Sequence, residues 1–142
     1  MRIFILISLL FFSGYVLAQR QGIKGQVFWL SGNQMPQRGK PKSPQQGIER
    51  EIYVYHATTL ADAIIQNGFY TEIKTPFIAK VVSDANGLFF VKLPEGRYSV
   101  FVKEPGGLFA NIFDGNNCIN CINVSKKKYT WITIVVDYEA AY

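Results

Sequence analysis

The stretch Ser83–Lys103, SDANGLFFVKLPEGRYSVFVK, constrains the fold more than any other part of the chain. Asp84-Ala85-Asn86-Gly87 is turn chemistry, because Asp and Asn side chains bond nearby backbone and Asn-Gly accepts the positive φ of a tight turn. The next residues alternate: Phe89, Val91 and Leu93 share one face, and Leu88, Phe90 and Lys92 share the other. Pro94-Glu95-Gly96 then reverses the chain, and Tyr98, Val100 and Val102 alternate with Ser99, Phe101 and Lys103. Two antiparallel strands held by two turns bury little by themselves, so the remaining segments must supply a sheet and a second layer.

Those segments read mostly as strands. Gly22–Leu30 places Val27 and Trp29 opposite Phe28 and Leu30, and Glu51–His56 places Ile52 and Val54 opposite Tyr53 and Tyr55. Short strands are also expected at Phe69–Ile73, Phe77–Val82, Leu108–Phe113, Ile122–Val124 and Tyr129–Val136. Between Thr58 and Gly68, a Thr cap with an acid three places on, and Leu60, Ala61, Ile64 and Ile65 on one face, predict a short helix. The segment Ser31–Arg50 has three prolines, three glycines and no apolar period, which predicts a long flexible loop. The expectation is an all-β fold: a seven-stranded antiparallel β-sandwich with one short inserted helix.

The first eighteen residues read differently. A positive start at Met1-Arg2, a hydrocarbon run from Ile3 to Phe12 and small residues at Val16 and Ala18 form the pattern of a signal peptide. The run is too short for a comfortable membrane span, and Gln19, not Cys, follows the expected cut. Residues 19–142 then form one domain, exported to the periplasm or beyond the cell, with no membrane span after cleavage. The net charge of +5 is mild and its basic residues are scattered apart from Lys126-Lys127-Lys128. That pattern describes a solvated face and argues against a nucleic-acid partner.

Four segments together resemble the carboxypeptidase regulatory-like domain. Gly25-Gln26-Val27 resembles the opening strand of that family and Ile52-Tyr53-Val54 its second strand. Ser83–Phe90 resembles its T-D-x-x-G-x-F-x-F turn, and Leu93–Val100 its L-P-x-G-x-Y-x-V motif. The resemblance implies a transthyretin-like, carbohydrate-binding-like sandwich without catalytic residues, here as a standalone exported form.

Few residues offer chemistry. His56 is the single histidine and has no ordered set of partners in sequence, so neither acid–base catalysis nor a metal centre is expected, and no cofactor. Cys118-Ile119-Asn120-Cys121 lacks the further ligands of a zinc site and the helix start of a redox pair; the expectation is a local disulfide. An extended C-x-x-C holds its Cα atoms about 10 Å apart, so pairing demands a turn. Asp84-x-Asn86 and Asp114-x-Asn116 echo calcium loops but lack a distal bidentate Glu, and turn formation explains both. Asn123-Val124-Ser125 matches a glycosylation acceptor.

Tyr53 and Tyr55, with the neighbouring 31–50 loop, are the candidate binding residues, in preference to the central hairpin, whose residues folding alone explains. The two tyrosines stand opposite the inward Ile52 and Val54, so either the 58–68 segment or the 31–50 loop covers them, or they form an aromatic platform. Two functions follow: a structural or protein-interaction module at the cell envelope, or a carbohydrate-binding module using surface aromatics. The partner is accordingly an envelope protein or a glycan. Exposed coplanar Tyr or Trp favours the glycan; a flat apolar strip along an edge strand favours a protein.

Overall fold

The computed structural model describes residues 20–41 and 45–142. The signal peptide expected at 1–18 and positions 42–44 of the expected loop lie outside the described residues. The chain forms an all-β sandwich, as the hairpin pattern requires. Its strands are β1 (Gly22–Asn33), β2 (Gln46–Gly47), β3 (Glu51–His56), β4 (Ala63–Gln66), β5 (Phe69–Ile73) and β6 (Phe77–Val82). They continue with β7 (Leu88–Lys92), β8 (Gly96–Glu104), β9 (Gly107–Phe109), β10 (Cys121–Val124) and β11 (Tyr129–Ala141).

One sheet has β1 at its centre, with β11 on one side and β7 followed by β2 on the other. The second runs β4-β5-β9-β8-β3-β6, with β10 also on β8. The pairing is antiparallel except between β1 and β11, which run parallel from Gly22↔Tyr129 to Asn33↔Ala141 with one irregularity at Trp29/Ser31. That parallel ladder departs from the expected all-antiparallel arrangement. It joins segments about a hundred residues apart, so no local turn chemistry could announce it.

The core lies between the sheets. Ile23, Val27, Phe89, Leu93, Ile134 and Val136 face Ile52, Val54, Tyr98, Val100 and Val102, all buried. A second, smaller cluster of Tyr70, Phe101, Leu108, Ala110 and Ile119 sits on the other face of β8. The inner faces follow the alternation of β3, β7 and β8 residue by residue.

The expected 58–68 helix is corrected. Leu60–Asp62 is a single 3-10 turn, and residues 63–66 are strand β4, paired with β5. Asp62 does accept from the Thr59 backbone N–H and hydroxyl at 3.3 and 3.0 Å, so the capping signal is real. The following residues override it. Ile64 and Ile65 are β-branched, and Asn67-Gly68 adopts positive φ at both positions (53° and 81°), as a two-residue hairpin turn requires.

The 31–50 segment is also more ordered at its ends than a flexible loop. Ser31–Asn33 extends β1 beside Glu139–Ala141, and Gln46–Gly47 pairs with Trp29 and Phe28. Gly47 is required there, since a Cβ would collide with the Asn86 carbonyl. The Ser83 hydroxyl donates to the Ile48 carbonyl and accepts from the Arg50 N–H, each at 2.8 Å, tying the segment to the hairpin.

Glu104, with its side chain 1% exposed, links the two sheets. It accepts from Arg50 Nε and from the Tyr138 hydroxyl, each at 2.9 Å. Trp29, Phe69 and Phe109 pack edge-on or tilted around the Tyr138 ring at 4.9–5.5 Å. The Tyr138 hydroxyl is pushed up to about 12 by lost hydration and by this carboxylate. Arg50→Ala leaves a buried carboxylate half-satisfied and should cost roughly 3 kcal/mol in urea denaturation, whereas Tyr138→Phe should cost about 1 kcal/mol. Equal, negligible losses would show that the carboxylate is solvated and does not join the sheets.

Candidate functional site

Strand alternation sends Ile52 and Val54 fully into the main core and turns Tyr53 and Tyr55 to the opposite face. Neither ring stands free. Tyr55 packs edge-on against Phe101 at 5.7 Å and Phe77 at 5.5 Å, and Tyr53 lies 5.9 Å from Phe77. Ala63 and Ile73 of the β4–β5 hairpin pack on the same small cluster as the two tyrosines. What remains open is a shallow groove of about 430 Å³ lined by Tyr53, Tyr55, Tyr70, Ile73, Lys103 and Leu108. Burial raises the Tyr55 hydroxyl above its ordinary value, with Tyr53 adding to the effect, and burial alone raises Tyr70. Among the described residues, none of 31–41 or 45–50 lines this groove; Asn33–Gln37, Lys40 and Pro41 bound a separate cleft of about 390 Å³.

Cys118 and Cys121 lie at disulfide distance, with their Cα atoms 5.7 Å apart. Asn120, at φ 41°, reverses the chain between them, and the turn that leads into Cys118 copies the one at Asp84. Asp84 Oδ1 accepts from the Asn86 and Leu88 N–H groups, both at 2.9 Å. Asp114 Oδ1 likewise accepts from Asn116 and Cys118, at 2.8 and 3.0 Å. Gly87 and Asn117 take the matching positive φ, 83° and 60°. Both apparent calcium loops therefore spend a carboxylate oxygen on their own backbone. The cysteine turn is docked by Ile119 N–H donating to the Thr58 carbonyl at 2.8 Å and by Asn120 Nδ2 donating to the Val100 carbonyl at 2.9 Å. His56 is exposed and stacks on Tyr98, with ring centroids 6.0 Å apart.

A third region was missed in the sequence. On the outer face of the β1 sheet, Lys24 stands in register between Phe90 and Trp131, and Gln26 between Leu88 and Thr133. Phe90 is 58% exposed, Trp131 56% and Leu88 43%; Val82, on neighbouring β6, is 51% exposed. Trp131 Nε1 donates to Thr133 Oγ1 at 3.1 Å, which holds the indole along its strand. The Lys24 ammonium lies 4.5 Å from the Tyr129 ring centre. A concavity of about 510 Å³ runs past Lys24, Trp131, Phe90 and Leu88 to Val81 and Val82. Both faces of β7 are apolar in sequence, so its pattern alone does not say which face is wet. Trp131 joins the patch only through the parallel β1–β11 ladder.

Hydrogen bonds from Cys118 and Asn116, with the Arg97 guanidinium alongside, hold the Asp114 carboxyl below its ordinary 3.8. Its stabilising effect is therefore complete above about pH 4 and is lost as pH falls through the folded value. Asp114→Asn should flatten the acid decline of the thermal midpoint below about pH 4. An unchanged acid profile in the variant would show that the cysteine turn does not depend on this carboxylate.

Among the described residues, no helix is long and apolar enough to cross a membrane. Comparison of the chain with family models, with curated proteins and with solved structures finds no match.

Proposed function

We propose that the chain is a non-catalytic, exported interaction module that holds a protein partner at the cell envelope. The observation that carries this reading is the apolar strip of Leu88 and Phe90 along β7, extended by Trp131 and Val82. Exposed apolar side chains occur singly on any surface, but Leu88 and Phe90 together on one strand, with Trp131 across Lys24 on the same face, are the make-up of a docking surface. Export is supported by the leader pattern ending at Ala18 and by a cysteine pair at disulfide distance, which persists in an oxidising compartment. The sandwich, the Asp84 turn and the L-P-x-G-x-Y-x-V segment support kinship with carboxypeptidase regulatory-like domains.

A second reading, carbohydrate binding, is favoured by the groove where Tyr53, Tyr55 and Tyr70 line one wall system with Lys103. Aromatic rings with hydroxyl groups offer both a stacking surface and hydrogen bonds to a sugar. The two readings use different faces of the molecule, so one set of variants separates them.

Phe90→Ser with Trp131→Ser should leave the thermal midpoint nearly unchanged, because both rings are more than half exposed. The same variant should lose capture of the envelope protein that the parent retains from its own envelope extract. Tyr55→Ala should keep that capture. Loss of capture in Tyr55→Ala alone, together with retention of immobilised glycans by the parent, would transfer the function to the tyrosine groove.

A further inference from the structure

Strand β7 offers more than side chains. Its pairing phase is fixed at both ends: Val27 N–H donates to the Gly87 carbonyl at 2.8 Å, and Leu93 N–H donates to the Gln21 carbonyl at 3.2 Å. Alternate residues of an antiparallel strand exchange bonds with the same neighbour, so Gly87, Phe89, Val91 and Leu93 address β1. Leu88, Phe90 and Lys92 therefore aim their N–H and carbonyl groups away from it. Leu88 is satisfied locally, its N–H by Asp84 Oδ1 and its carbonyl by Asp84 N–H, both at 2.9 Å. Phe90 and Lys92 have no such partner among the described residues, because β7 pairs with β1 alone. The result is a short open edge along Leu88 and Phe90, beside a concavity that these two side chains line together with Val81 and Val82.

Charge is added at one end of that edge. Gly22 stands in register between Lys92 and Tyr129, and its N–H meets the Lys128 carbonyl at 3.4 Å. Lys92 and the Lys126-Lys127-Lys128 turn thus collect at the same end of the sheet, with Lys24 one row inward. Among the described residues, the one ion pair at this end is Lys126 with Glu95, at 3.8 Å. Lys24, Lys92, Lys127 and Lys128 keep uncompensated charge.

We infer that β7 takes up an extended segment of a partner protein as an added strand, apolar at alternate positions and acidic where it passes Lys92. This rests on the protein-partner reading and specifies how that partner is held. The backbone of the added strand pairs with Phe90 and Lys92, its outward side chains lie beside Leu88 and Phe90, and its inward side chains meet Val81 and Val82. Its acidic residues face the lysine end. Main-chain bonds supply affinity, and alternate side-chain contacts supply specificity, as in other strand-addition complexes. Two outward residues offer few hydrogen bonds, so the apolar strip and the lysines must contribute to holding the segment.

The test uses the purified protein and a displayed library of random twelve-residue peptides as the probe. Enrichment of peptides with alternating apolar residues and flanking acids is expected. Lys92→Pro removes the outward N–H without touching the pairing to β1, since proline is tolerated on an edge strand. It should weaken an enriched peptide about fivefold more than Lys92→Ala, which removes the same charge but keeps the donor. If the proline variant folds poorly, amide exchange in the parent gives the same information. Bound peptide should slow exchange at Phe90 and Lys92 and leave Phe89 and Val91 unchanged. Equal binding by the two Lys92 variants, with binding lost in Phe90→Ser, would overturn strand addition while leaving the strip a docking surface. Absence of any enriched peptide would overturn both. A dimer abolished by Lys92→Pro would assign the edge to a second copy of the chain and overturn the proposal.

Discussion

The parallel ladder between β1 and β11 is the constraint on which the remaining structure depends. β1 by itself pairs with β7 and with the two residues of β2, which makes a narrow, incomplete layer. Adding β11 brings Ile134 and Val136 into the core opposite Ile52, Val54 and Val100. It also sets Trp131 beside Lys24 and carries Tyr138 to Glu104. Fully burying one such aliphatic side chain contributes about 1.5–3 kcal/mol. The ladder must offset the entropy of closing a long loop, and such non-local pairing slows folding more than it limits stability. Core, clamp and surface strip are all completed by one pairing of distant segments.

The Glu104 clamp works with that pairing. A carboxylate removed from water is costly unless each oxygen is bonded. Here Oε1 takes Arg50, at the entry to β3, and Oε2 takes Tyr138, on β11. A bond to each sheet fixes their relative position at one end of the sandwich. The Arg50 guanidinium also faces the Trp29 ring at 5.8 Å, so the charge is held by aromatic as well as ionic contact. The expected flexible loop ends against this clamp, which is the physical reason that its last residues are ordered.

The sequence revealed the local rules well and the distant ones poorly. Asp84-x-Asn86-Gly87 forms the expected turn, and the alternation of Ile52/Tyr53/Val54/Tyr55 gives the observed inward and outward faces. The Thr59–Asp62 pair was also legible, yet a cap signals where a helix can begin, not that one continues. Ile64-Ile65 and Asn67-Gly68 favoured the hairpin, and tertiary pairing with β5 decided it. Tyr53 and Tyr55 were placed on the correct side of β3, but the packing of Phe77 and Phe101 against them required the neighbours of β3 in the sheet to be known. The strip was illegible for the same reason. Leu88 and Phe90 look like core beside Phe89 and Val91, and only their place on the outer face of the β1 sheet leaves them exposed.

The central claim is that the outer face of the β1 sheet, at the β7 edge, is where a partner protein sits. Site-specific photo-crosslinking in the cells that make the protein tests it directly, with p-benzoylphenylalanine placed in turn at Phe90, Trp131, Tyr55 and Glu72. The account predicts one discrete protein adduct from Phe90 and Trp131, and none from Tyr55 or from Glu72 on β5. Adducts from Tyr55 with none from Phe90 or Trp131 would contradict it.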